Sequence, residues 1–137
     1  MNRPAVLFIC VRNGGKSQMA AALARLHAGD DVEIHSAGTV PGEHLNEESR
    51  ASIEAVGATF DGEHPKPVDP DLLRRADRVV VLGTAARVEP VEGMRAPIEV
   101  WDTDEPSLRG ITGRARMDLV RDDIDARVRQ LLAELGA

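Results

Sequence analysis

Ala5-Val6-Leu7-Phe8-Ile9-Cys10 runs directly into Val11-Arg12-Asn13-Gly14-Gly15-Lys16-Ser17, and then into Gln18-Met19-Ala20-Ala21-Ala22-Leu23-Ala24-Arg25-Leu26-His27. The first six residues are a continuous apolar run, as expected of a strand buried on both faces. The next seven are polar and glycine-containing, and the rest reads as a helix that opens near Lys16. Two consecutive glycines let a loop turn its N–H groups toward one bound anion. The positive end of the following helix faces the same point. The cysteine therefore ends a strand at the bottom of a cradle for an oxyanion, where its thiolate form is favoured and can act as a nucleophile.

Working outward, strands and helices alternate along the chain. Val32-Glu33-Ile34-His35-Ser36 alternates with period two and predicts a second strand, followed by a loop from Ala37 to Gly42. Asn46 to Val56 predicts a helix with Asn46 as cap and Ile53 and Val56 facing inward. Gly62 to Pro67 is loop, and Asp69-Pro70 opens a short helix that ends near Arg75. Arg78 to Leu82 predicts a third strand, and a helical segment is expected after Gly83-Thr84. Ile98 to Trp101 predicts the fourth strand, and Asp102 to Gly113 a long polar loop. Met117, Val120, Ile124, Val128, Leu131 and Leu135 then recur at helical spacing.

This order implies an α/β fold: residues 1–137 as one doubly wound domain, with a four-stranded parallel sheet and helices on both faces. In such folds ligands bind beyond the C-terminal strand ends. Cys10, Ser36, Gly83 and the acidic stretch from Asp102 to Pro106 all fall there.

Composition narrows the function. At 137 residues with 42% hydrophobic and 29% charged content, the chain has enough apolar material for one packed core. No apolar run approaches the roughly 18 residues that cross a bilayer, and no leader pattern is evident, so a cytoplasmic location is expected. A net charge of −6 argues against nucleic-acid binding. Residues 1–29 nevertheless hold Arg3, Arg12, Lys16 and Arg25 and no acid, whereas all 23 acids lie beyond. A small positive region on an acidic protein suits a compact anion. The four histidines have no metal-ligand spacing, and no bound cofactor or metal is expected. One cysteine excludes an internal disulfide.

The loop resembles that of the low-molecular-weight protein tyrosine phosphatases and of the arsenate reductases sharing their fold, in which a cysteine is followed by five residues, an arginine, and a serine or threonine. Cys10, Asn13 and Ser17 match by position, as do Ser36-Ala37-Gly38-Thr39, Pro65-Lys66-Pro67 and Asp104-Glu105-Pro106. Asn13 to Ala20 is similar to the arsenate reductase branch, particularly its single-cysteine, mycothiol-dependent form. The resemblance implies that Cys10 is the nucleophile and that residues Val11, Arg12, Asn13, Gly14, Gly15, Lys16 and Ser17 hold the oxyanion. It implies that Ser17 hydrogen-bonds the Cys10 thiolate and that Glu105 or Asp104 is the general acid. Asn13, through its backbone, and Ser36 support the loop. Ser17 has a second reading as a helix cap, and Arg12 as a solvated loop residue.

Two departures stand out. Lys16 occupies the arginine position, and an ammonium cannot grip two oxygens in a plane as guanidinium does. Glu105 replaces the aspartate that serves as acid in the phosphatases. Relatives that use thioredoxin carry two further cysteines, one of them after the strand matching Val79 to Leu82, where this chain has Leu82 and Gly83. The resemblance therefore implies an external thiol, mycothiol, with a mycoredoxin-like partner that reduces the arsenic–mycothiol adduct. The alternatives are a phosphatase working through a phosphocysteine, and an oxyanion-binding or redox-sensing module.

Overall fold

A computed structural model describes residues 3–137. Four strands, β1 (Ala5–Cys10), β2 (Glu33–Gly38), β3 (Arg78–Leu82) and β4 (Ile98–Trp101), form one parallel sheet in the order β2-β1-β3-β4. Four helices, α1 (Lys16–Ala28), α2 (Glu47–Glu54), α3 (Pro70–Arg75) and α4 (Gly113–Glu134), complete it. β1 is central and buried over its whole length, which is why its sequence is apolar without alternation.

The two faces are covered differently. Val6, Phe8, Val80 and Leu82 pack beneath α1, α2 and α4, through Met19, Leu23, Ile53, Val120 and Ile124. Leu7, Ile9, Val79 and Val81 point the other way, against Leu73 of α3. Residues 84–97 complete that second face, with Val88, Val91 and Met94 against it. The helix expected after Gly83-Thr84 does not form: Pro90 and Pro97 remove N–H donors and Gly93 adopts a positive φ of 81°. An irregular strap does the covering instead.

Other boundaries shift for identifiable reasons. β2 runs on through Ala37-Gly38, expected to be loop, because Ile9 and Cys10 pair with them. α2 stops at Glu54, so Val56 is exposed rather than inward-facing. Asn46 and Asp69 cap their helices as expected, accepting from the backbone N–H of Ser49 and Asp71. α4 starts at Gly113, four residues before its first apolar position, and a short 3-10 helix at Pro106–Arg109 breaks the predicted polar loop. Asp123 accepts from the backbone N–H of Asp104, and Asp125 pairs with the ring of His27.

Candidate active site

Cys10 ends β1 at the centre of the sheet, 8% exposed. The chain then turns through residues 11–15 and enters α1 at Lys16. The residue in left-handed conformation is Asn13, with φ 55°, and not either glycine. The glycines serve close approach instead. A Cβ on Gly14 would lie 2.8 Å from the carbonyl oxygen of His44. One on Gly38 would lie 2.7 Å from the carbonyl oxygen of Val11. The loop is thus wedged between the β2–α2 connection and the end of β2.

Its thiol is set by a chain of hydrogen bonds. The backbone N–H of Asn13 donates to Cys10 Sγ at 3.3 Å, and Ser17 Oγ lies 2.9 Å from the same sulfur. Asn13 Nδ2 donates to Ser17 Oγ at 2.7 Å. That amide nitrogen can only donate, so the hydroxyl proton of Ser17 is left for the sulfur. Asn13 Oδ1 accepts from Gln18 Nε2, from the Lys66 N–H and from Lys66 Nζ, which fixes the orientation of the amide. Asn13 therefore works through its side chain rather than by bonding its own backbone. Ser17 makes no capping bond: the helix cap, Gly15, has no side-chain partner.

Sequence reasoning missed two supports. Fully buried Gln18 ties Asn13 to the carbonyl of His64. Lys66 Nζ is held by Asn13 Oδ1 at 3.4 Å, Ser36 Oγ at 3.1 Å, Glu63 Oε1 at 3.1 Å and the His64 carbonyl at 3.3 Å. Ser36 touches the same ammonium that reaches Asn13 of the loop. The Pro65-Lys66-Pro67 motif was the only available signal.

Opposite the loop stand the acids. Lys16 Nζ contacts Glu105 Oε1 directly, and Arg116 of α4 lies 3.9 Å from Glu105 Oε2. Lys16 also sits over Gly83, whose Cβ position is 3.8 Å from Nζ. Asp104 is turned away: both its carboxylate oxygens accept from Arg109, at 2.8 and 3.1 Å. The Arg109 hydrogen bond holds its carboxyl below the usual range. Of the two candidate acids, the structure brings only Glu105 to the loop. Arg12 is exposed at the loop's edge.

Residues 5–137 match the low molecular weight phosphotyrosine protein phosphatase family. The chain belongs to that family. Curated relatives similar to it include arsenate reductases: that of Bacillus licheniformis is 31% identical over 140 residues, covering 99% of both chains. Among solved structures, the thioredoxin-dependent arsenate reductase Cg_ArsC1' of Corynebacterium glutamicum superposes with a TM-score of 0.79 at 28% identity. That match covers 99% of this chain and 63% of the other, so this chain spans under two thirds of its length. An arsenate reductase in the phosphate-binding state gives 0.80 at 25% identity, covering 96% and 98%. A phosphatase family model and arsenate reductases thus both match this chain over nearly its whole length. No described helix is long and apolar enough to cross a membrane.

Proposed function

We propose that this protein reduces arsenate with an external thiol, as an arsenate–mycothiol transferase needing no bound cofactor. The observation that carries this is the solitary thiol. Cys10 Sγ lies inside the loop against Ser17 and the Asn13 N–H, and the position facing Lys16 after β3 is Gly83, without a second sulfur. A first bond to arsenic can form there, but nothing among these 137 residues can resolve it as a disulfide.

Arsenate would sit with its oxygens on the N–H groups of residues 11–17 and on the Lys16 ammonium. The Cys10 thiolate attacks arsenic; an As–O bond breaks, and the departing hydroxide takes a proton from Glu105 and leaves as water. Mycothiol, as thiolate, then attacks arsenic and releases Cys10. Arsenic remains pentavalent in that adduct. A mycoredoxin-like dithiol partner attacks the adduct's sulfur, forms a mixed disulfide, and releases arsenite with the electron pair.

Family membership favours a second reading, a phosphatase forming a phosphocysteine. Lys16 weighs against it, because the ammonium gives one point contact where a guanidinium spans two equatorial oxygens. The chain also has no tyrosine to flank an aromatic phosphoester. The deciding assay is arsenite production from arsenate with mycothiol and a mycoredoxin, beside p-nitrophenyl phosphate hydrolysis on the same sample. Arsenite formed only with mycothiol supports the transferase. Brisk hydrolysis without arsenite replaces it with the phosphatase.

A further inference from the structure

A cleft of 460 Å³ opens beside the anion loop, between the start of α1, the β2–α2 connection and the start of α4. It shares Gly14, Gly15 and Lys16 with the loop and is far roomier than one oxyanion requires. Its inner wall is apolar, formed by Met19, Leu45 and Met117. Arg12 and Arg116 flank it, and no carboxylate among the described residues lines it. The Nε of Arg116 is buried and has no hydrogen-bond partner, although a buried N–H of this kind is normally satisfied.

These features ask for a particular occupant. It carries acceptor oxygens for cationic N–H donors, because nothing charged in the wall accepts. It also presents C–H surface to the apolar side, and it reaches the loop at Gly14 and Gly15. An organic thiol on a polyhydroxylated ring body fits all three requirements: ring C–H faces against Met19 and Leu45, hydroxyl or amide oxygens on Arg116, and sulfur directed toward the oxyanion.

We propose that this cleft is the subsite for the body of the thiol co-substrate, with Arg116 Nε donating to one of its oxygens. The proposal rests on the transferase reading and names the side chain that recognises mycothiol within it. Arg116 then discriminates between thiols and does not act on arsenate. Its 3.9 Å approach to Glu105 leaves the Nε free for this second task.

The test compares mycothiol with N-acetylcysteine, which offers a thiol without the ring body, in wild type, Arg116→Leu and Arg116→Lys. The variants are expected to raise the KM for mycothiol about tenfold or more, corresponding to one hydrogen bond to a charged donor. Because Arg116 also neighbours Glu105, the readout is the ratio of kcat/KM for mycothiol to that for N-acetylcysteine, which should fall about tenfold or more in both variants. Lysine keeps the positive charge near Glu105 but lacks the Nε–H, so Arg116→Lys must show the mycothiol defect too. Full recovery with lysine, or an unchanged mycothiol KM in Arg116→Leu, overturns the subsite. A loss of equal size with both thiols overturns it as well, because Arg116 would then serve the chemistry or the fold alone. Wild type that makes no arsenite with any thiol marks a different failure, that of the transferase reading, and removes the subsite with it.

Discussion

Asn13 Nδ2 lies 2.7 Å from Ser17 Oγ and, by donating to it, dictates where the serine proton goes. Reversing this polarity tests the relay. In Asn13→Asp the carboxylate would accept from Ser17, turning the hydroxyl away from Cys10 Sγ. A hydrogen bond to a charged group contributes ~1.5–3 kcal/mol. Alkylation of Cys10 by iodoacetamide near neutral pH should slow roughly ten- to a hundredfold. An unchanged rate would show that the hydroxyl does not govern the thiolate.

Glu105 and Asp104 are neighbours with opposite surroundings, one against Lys16 at the loop and one clamped by Arg109. Glu105→Gln is expected to lower kcat for arsenate by ~10²–10⁴, the usual range for loss of a general acid. Asp104→Asn should stay within a few fold of wild type. Steady-state rates on the two purified variants separate the assignments, and equal losses would refute them.

Lys66 holds Asn13, Ser36 and Glu63 from a single ammonium. Lys66→Met removes the donor and leaves partly buried acceptors unpaired, at ~1–3 kcal/mol. A lower urea midpoint together with weaker phosphate inhibition is the expected pair of results. A loss of stability with phosphate affinity intact would confine Lys66 to the scaffold.

Gly38 lies where the end of β2 passes the anion loop. In Gly38→Ala the new methyl would stand 2.7 Å from the Val11 carbonyl oxygen and 3.0 Å from Asn13 Cβ. Backbone cannot move aside as a flexible side chain does, so the loop must shift. Overpacking of this kind typically costs ~1–3 kcal/mol, and a displaced cradle loses far more activity than stability. Far-UV dichroism should be native-like while turnover falls about a hundredfold or more.

Far from the site, Glu33 accepts from Arg75 and pairs with His35, both at 2.6 Å. The Arg75 hydrogen bond first, then that of His35, hold its carboxyl down to about 2. A depressed carboxylate stabilises the fold in full above its ordinary value of ~4.3, and that contribution is lost as pH falls through about 2. The cluster is partly open to solvent, so Glu33→Gln should cost at most about 1 kcal/mol near neutrality. The difference from wild type should vanish in urea melts at about pH 2.

The legible parts of the chain were those whose signals are local. β1, the loop and α1 are contiguous, and each announces itself by apolar run, glycine pair or helical spacing. Asn46 and Asp69 are caps that any helix of that sequence would use. Lys66 and Arg116 gave little warning because they reach the site from remote segments, and an isolated cation carries no periodicity. Asp104 and Glu105 could not be told apart because the difference lies in Arg109, Lys16 and Arg116 around them. The helix expected after Gly83-Thr84 fails because Pro90, Gly93 and Pro97 decide against one.

Lys66 carries one last implication. Its ammonium, the Gly38 N–H bonded to the Lys66 carbonyl, and the buried Gln18 hold the loop in shape through contacts made entirely within the protein. The ordering entropy of the cradle is therefore met once, when the chain folds, and not again at each encounter. Anion capture should then be fast and change little in heat capacity. The protein would sample scarce oxyanion at a rate set by diffusion and charge, with no slow step of loop closure.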